Sequence, residues 1–285
     1  MQTAVIFKDI KPFLKWPGGK RQLLSQITSL LPSKIHQYHE PFLGGGAIMF
    51  HILTQRTNIP VRVSDVNSDL INCYLVVKEN LDKLIDRLKI HQKNYMKNRD
   101  KYYYKIRDEF ESDNKIQAAS RFIFLNKTCF NGLYRLNRKG KFNVPLGAYT
   151  NPNIVNEENL RMVSDLFNRN NISMNTSDFE NSLKHVKNND FVFLDPPYAP
   201  SCKSTHSTHY WSKPFDHAEQ ERLKLELDRL DKKGAKFLLT NSDTNETRKI
   251  YKDYMSNSIK INGVSVISCL ASSRSGHKQL IIKNY

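Results

Sequence analysis

Three times along the chain, a short run of apolar or β-branched positions stops at a carboxylate-bearing or glycine-rich turn and then takes on helical spacing. Residues 36–50, HQYHEPFLGGGAIMF, pass from a brief extended run through a glycine cluster into the helix-like AIMFHIL. Residues 59–77, IPVRVSDVNSDLINCYLVV, form a β-branched run up to Asp65 and continue with a helical pattern. Residues 190–198, DFVFLDPPY, place a largely apolar run directly before Asp195. Strand, turn and helix alternating in this way predict an open α/β sheet with its ligands at the carboxyl ends of the strands.

The pattern changes between about 81 and 160. LDKLIDRLKIHQKNY and AASRFIFLN have helical spacing, and FNGLYRLNRKGKFNVPLGAYTNPN is rich in turn formers, aromatics and cations. Arg135, Arg138, Lys139 and Lys141 lie between Phe130 and Thr150 with no acidic residue among them. Sheet-like spacing returns at NISMNTSDFE (171–180). The expected organisation is therefore one α/β domain formed by residues 1–80 and 161–285, with 81–160 inserted between its halves. The final segment, VSVISCLASSRSGHKQLIIKNY, predicts two antiparallel strands around a basic, serine-rich turn.

Composition sharpens the reading of partners. The chain has 285 residues, 39% hydrophobic and 11% aromatic, which is enough for a substantial core and excludes a disordered polymer. Lys+Arg number 44 against 28 Asp+Glu, a net charge of +16, so a polyanion is the expected partner, nucleic acid before a membrane surface. Cys73, Cys129, Cys202 and Cys269 are widely spaced and form no C-x-x-C pair, as expected of reduced thiols in a cytoplasmic protein. The first 16 residues are interrupted by Lys8, Asp9 and Lys11, so no apolar signal segment is expected, and no run is long enough to span a bilayer.

The candidate chemistry lies at the three strand ends. Gly44, Gly45 and Gly46 permit a sharp turn and close backbone approach to a ligand, but the spacing is neither G-x-G-x-x-G nor a P-loop. About twenty residues on, Asp65 is placed to accept hydrogen bonds from both ribose hydroxyls. A glycine turn plus a strand-end acid fits a nucleoside cofactor without a pyrophosphate grip, such as S-adenosylmethionine. Asp195, Pro196, Pro197 and Tyr198 then set a carboxylate, a proline carbonyl and an aromatic ring at one strand end. A carboxylate and a proline carbonyl are pure acceptors, and locked φ angles hold them in place. They suit the amino group of adenine or cytosine, whose lone pair must leave conjugation before attacking a methyl donor. Positive charge growing on that nitrogen is stabilised by the carboxylate. KWPGGK (15–20) taken alone reads as a surface loop, and SDFE (177–180) as a helix N-cap. Cys202, His206 and His209 lack a matching second pair of ligands, so no metal is expected.

Taken in order, KWPGGK, EPFLGGG, SDVNSDLIN, the basic insertion and DPPY resemble the Dam-type DNA adenine methyltransferases, which include the GATC modification methylases of DpnII-type systems. The resemblance spans nearly the whole chain. It implies a Rossmann-like S-adenosylmethionine-dependent methyltransferase sheet carrying an inserted, mainly helical DNA-recognition domain with a basic hairpin. It implies cofactor contacts at Trp16, Lys20, the turn Pro41–Gly46 (with Phe42), Asp65 and Asp195, with Asp178 and Phe179 bordering the cofactor's adenine. The catalytic tetrapeptide would be Asp195–Tyr198. In the insertion, Asn131 would lie near the vacated base position, Leu133 and Arg135 would read outer base pairs, Pro145 would touch a thymine methyl and Lys15 would read the first guanine. Family members commonly carry arginine where this chain has Ala148, so Arg138 or Lys141 would supply the phosphate contact there. The implied reaction is methylation of the adenine amino group in double-stranded DNA, in GATC, by base flipping. Amino methylation of cytosine, or of adenine in another sequence, is the rival. A cognate restriction endonuclease would act separately, and a cytoplasmic, nucleoid-associated location is expected. Oligomeric state is not legible.

Overall fold

The computed structural model describes residues 10–56, 58–109, 112–137, 139–198, 215–263 and 277–285. Its centre is a sheet of seven strands in the order β3-β2-β1-β4-β5-β7-β6. The strands are β1 (Tyr38–Glu40), β2 (Val61–Asp65), β3 (Ile172–Thr176), β4 (Phe191–Leu194), β5 (Lys236–Ser242), β6 (Ile259–Gly263) and β7 (His277–Lys283). The first five are parallel, and β7 runs antiparallel between β5 and β6. β7 falls within the segment predicted to close the sheet and pairs antiparallel with β6, which lies wholly before that segment. Residues 264–276, where the predicted first strand and its serine-rich turn fall, lie outside the described residues.

Side-chain alternation divides the core into two layers. Phe191, Phe193, Leu238 and Ile281 join the layer shared with helices α2 (Ala47–Gln55), α3 (Ser68–Glu79) and α7 (Glu157–Arg169). Val192, Leu194, Phe237, Leu239, Leu280 and Ile282 face the other way, toward α8 (Phe179–Leu183) and Leu223, Leu227 and Leu230 of α9 (His217–Lys232). Apolar groups on both faces explain why β4 reads as a continuous apolar run.

Between α3 and α7 the chain forms α4 (Leu81–Lys97), α5 (Arg99–Asp108) and α6 (Lys115–Thr128). α4 buries Leu84, Ile85, Leu88, His91 and Tyr95, the stripe of an amphipathic helix. α6 is buried over most of its length between α3, α4 and α5, and the same apolar cluster runs from these helices into the sheet. After α6 come a short 3-10 turn, Phe130–Gly132, and a loop held by isolated antiparallel bridges, Cys129 with Leu146 and Leu136 with Phe142. The Tyr103 hydroxyl ties this loop to α5 by donating to the Val144 carbonyl at 2.8 Å. α7 runs across residue 160, so one helix leads from this segment back to the sheet. Two further helices, α1 (Leu24–Thr28) and α10 (Asn245–Ile250), complete the described elements. None of the described helices is long and apolar enough to cross a membrane.

Candidate active site

Strand order reverses between β1 and β4: from β1 the chain fills positions toward β3, and from β4 it fills them toward β5. Loops leaving adjacent strands on opposite sides open a crevice at such a point, beyond the carboxyl ends. The segments that leave these two strands are Pro41–Gly46 and Asp195–Tyr198, so topology alone brings the glycine turn and the acid–proline–proline–tyrosine stretch together.

The glycine turn is fixed from three sides. The Gly44 amide donates to Asp65 Oδ2 at 3.0 Å, the Tyr74 hydroxyl donates to the Gly44 carbonyl at 3.0 Å, and the Leu43 amide donates to the Ser64 carbonyl at 3.0 Å. Gly44 has φ +48°, and a Cβ there would come within 2.8 Å of the Trp16 ring. KWPGGK is therefore no loose surface loop. Trp16 packs in one ring cluster with Phe122 and Tyr134, at 6.4 and 5.8 Å between ring centroids, and presses on the turn. Asp65 also accepts the Asn67 amide on Oδ1 at 3.0 Å. With these amides and that of Val66 on it, the carboxylate still keeps acceptor capacity for a ribose hydroxyl. Burial pushes the Asp65 carboxyl above its ordinary pKa, against the pull of the Gly44, Asn67 and Val66 amides.

Lys20, buried, holds Asp195 on both oxygens, 2.6 Å to Oδ1 and 2.7 Å to Oδ2, and also donates to the Gly18 carbonyl at 2.8 Å. Burial opposes its charge, but Asp195 and Tyr198 outweigh burial and hold its pKa above the ordinary value. Its ammonium lies 5.1 Å from the Tyr198 ring centroid. Burial, then the Asp195 charge, push the Tyr198 hydroxyl up to about 12, so it stays protonated and donates to Gln279 Oε1 at 3.2 Å.

Asp178 is the N-cap of α8, accepting the Glu180 amide, as SDFE predicts, and it is ion-paired with Arg222. The ring of Phe179 packs 5.4 Å from that of Phe42, and the Arg222 guanidinium lies over its face. The sequence-predicted cofactor residues thus form three contacting sets, Trp16 with Gly44 and Asp65, Lys20 with Asp195, and Phe42 with Phe179.

The predicted recognition residues gather on the neighbouring loop. Asn131 (φ +52°), Arg135, Lys141, Pro145 and Ala148 are exposed, and Leu133 is half-buried. Arg135 is braced by Asn143, through Oδ1 at 2.7 Å and the carbonyl at 3.2 Å. The Phe130 amide donates to the Pro145 carbonyl at 2.8 Å, closing the two arms on each other. Lys141 lines an open depression of about 270 Å³ with Arg107, Asp108, Asn137, Phe142 and Asn143. Arg138 lies outside the described residues, as do Cys202, His206 and His209. Among the described residues no group of three His, Cys, Asp or Glu could hold a metal. Lys15 joins this surface: its ammonium lies 3.7 Å from the Tyr149 ring centroid, and a Cβ on Gly132 would meet its side chain at 2.5 Å. The buried Asn126 amide grips the Lys15 backbone on both sides, accepting its N–H at 2.8 Å and donating to its carbonyl at 2.7 Å.

Several residues at the site escape sequence reasoning. Glu40 is buried beside Asp195 and Asp65. Burial drives its carboxyl up to about 8, with the Tyr38 hydroxyl and the Met49 amide pulling down and the two neighbouring acids pushing up. An acid opening EPFLGGG at a strand end is the signal that would have found it. Thr240 donates to Asp195 Oδ1 at 2.7 Å, and Gln220 Nε2 reaches the Pro197 carbonyl at 3.4 Å while Asn241 and Tyr251 hold its Oε1. Nothing in their local spacing marks these residues. Phe130 leaves a large apolar ring exposed at the base of this loop, where its two arms meet.

A sequence profile of the D12 class of N6 adenine-specific DNA methyltransferases matches residues 16–267. The chain is 41% identical to the type II methyltransferase M.MjaIII of Methanocaldococcus jannaschii, over 97% of this chain and all of the relative. It is 38% identical to the type II methyltransferase M1.LlaDCHI of Lactococcus lactis, over 97% of this chain and 96% of the relative. To the DNA adenine methylase of Haemophilus influenzae the identity is 33%, over 88% and 86% respectively.

Proposed function

The chain belongs to the D12 class of N6 adenine-specific DNA methyltransferases, and on that premise we propose that it methylates the exocyclic amino group of adenine in double-stranded DNA, within GATC, with S-adenosylmethionine as donor. Membership of an adenine-specific family removes the cytosine rival. The observation that supports the reading is that the Gly44–Asp65 turn and Asp195 leave the adjacent strands β1 and β4 where strand order reverses, with Glu40 close to both acids.

The crevice fits the cofactor. Asp65 keeps acceptor capacity for a ribose, the closeness of Gly44 to Trp16 leaves no room for a side chain, and the half-buried Phe42, backed by the buried Phe179, offers an apolar ring. Trp16, Lys20, Pro41, Phe42, Gly44, Gly45, Gly46, Asp65, Asp178, Phe179 and Asp195 would hold it. Bound there, S-adenosylmethionine supplies a methyl group activated by a sulfonium. Asp195 accepts one amino hydrogen and a proline carbonyl the other, which lets the nitrogen lone pair leave conjugation. Tyr198 stacks on the base, and the carboxylate stabilises the charge that grows on nitrogen. A base amino group inside a duplex is out of reach, so the adenine must leave the stack, at a cost of a few kcal/mol offset by protein contacts.

Residues 81–160 are read as the recognition insertion. Lys15 and Arg135 present guanine-reading cations, Leu133 and Pro145 apolar contacts, and Asn131 borders the place the base vacates. Lys141 supplies the phosphate contact where Ala148 stands. A cognate endonuclease would act as a separate protein on the same sequence.

The test is expression in a host without adenine methylases, followed by sequencing-based mapping of methylated bases. N6-methyladenine confined to GATC is expected; N6-methyladenine confined to a different sequence overturns the GATC assignment, and methylcytosine alone overturns the reaction. Asp195→Ala should abolish transfer while the protein stays folded, and activity within a few-fold of wild type would remove Asp195 from its role.

A further inference from the structure

On the reading above, Asp195 must present one oxygen to a base amino group, which raises the question of what turns the carboxylate the right way. An ionised carboxylate has about four acceptor directions, two on each oxygen. Lys20 donates to Oδ2 at 2.7 Å and lies 2.6 Å from Oδ1 in the ion pair. Thr240 donates to Oδ1 at 2.7 Å. Oδ1 thus holds the threonine hydroxyl, and Oδ2 keeps acceptor capacity beside its one hydrogen bond for the amino hydrogen that Asp195 is asked to hold.

The two donors differ in stiffness. Lys20 ends a four-carbon chain whose ammonium can follow a rotating carboxylate. Thr240 cannot: it is β-branched and held near one χ1 value, its side chain is fully buried, and its strand is paired on both sides. The register pairs Leu194 with Leu239, and the next positions along both strands are Asp195 and Thr240. The hydroxyl is therefore delivered to Oδ1 by the sheet itself. Its other partners are the Leu194 carbonyl, farther away at 3.4 Å, and the Tyr198 hydroxyl.

We propose that Thr240 is a positioning residue for the methyl transfer: its hydroxyl fixes the plane of the Asp195 carboxylate so that Oδ2 faces the substrate amino group. It touches neither base nor donor, so its loss misaligns the attacking nitrogen and leaves binding of both substrates intact. Thr240→Val keeps the branched shape and deletes the hydroxyl, and Thr240→Ser keeps the hydroxyl and deletes a methyl.

The experiment measures single-turnover methylation of a duplex oligonucleotide by wild type, Thr240→Val and Thr240→Ser, together with KM for DNA and donor and the melting temperature. A misplacement of ångström scale costs about 10- to 100-fold in rate. Thr240→Val should lose that much in the single-turnover rate with both KM values within about threefold of wild type, and Thr240→Ser should keep the rate within a few-fold. A Thr240→Val rate equal to wild type overturns the inference, as does equal loss in both variants or a defect confined to KM. If wild type itself methylates no adenine, the reaction assignment fails; if wild type is active and Thr240→Val matches it, only the positioning role fails.

Discussion

Replacing Glu40 by glutamine tests the electrostatics of the crevice. Glu40 is buried, takes the Tyr38 hydroxyl at 2.8 Å, and has Asp195 and Asp65 as charged neighbours. Its carboxyl moves from an ordinary 4.5 to about 8 on folding. Folding therefore favours the protonated form. The stability that protonation contributes is fully present below pH 4.5 and is lost as pH rises through about 8. That displacement corresponds to roughly 5 kcal/mol between the two ends of the window, an upper figure for a group packed among other acids. Glutamine has nearly the same shape, accepts from Tyr38 and does not titrate. Other titrating groups are common to both proteins, so the difference between the two melting curves isolates residue 40. At about 2 °C per kcal/mol for a chain of this size, Glu40→Gln should gain up to about 10 °C on wild type between pH 5 and pH 9. Differential scanning calorimetry across that range is the assay. Parallel pH dependences would refute the reasoning, because they would mean that Glu40 is solvated or ionised throughout.

Gly44→Ala should lower stability by about 2–4 kcal/mol, combining a left-handed backbone with a 2.8 Å overlap on Trp16, and should weaken donor binding; unchanged calorimetry in both respects would contradict the tight turn. Arg135→Ala should cost about 1–3 kcal/mol of discrimination at one outer base pair, read from methylation rates on single-mismatch duplexes, whereas equal weakening on every sequence would mark it as a phosphate contact. DNA affinity should fall steeply with added salt, and a flat dependence in a filter-binding titration would separate the basic loop from DNA.

The parts of the fold that were legible are those whose signal is local. β4 announces itself as FVFL because both of its faces are covered, and α4 because Leu84, Ile85, Leu88 and Tyr95 fall on one stripe. β1 carries no such signal. Tyr-His-Glu is wholly buried, yet only because its polar groups are paired: His39 with Asp190, 151 residues away, and Glu40 with Tyr38 of the same strand. Asp190 in turn resists the upward push of burial through His39, the Lys187 amide and His36, and its pKa falls below the ordinary value. The same reason hid Thr240, and at Lys20, which the resemblance implied as a cofactor contact, it hid the pairing with Asp195. Each reaches Asp195 across strand pairing or a chain reversal, and KWPGGK shows no apolar periodicity to betray that its last lysine is buried. The motifs could be read one by one; the hydrogen bonds that join them could not.

Lys15 and Trp16 are neighbours in sequence, yet the first leans on Gly132 and Tyr149 of the recognition loop and the second on the glycine turn, with Asn126 clamping the backbone at Lys15. On the proposed function, a single peptide unit would therefore act as a ruler between the spot where a sequence is inspected and the spot where it is marked, and one residue added there would shift the two against each other.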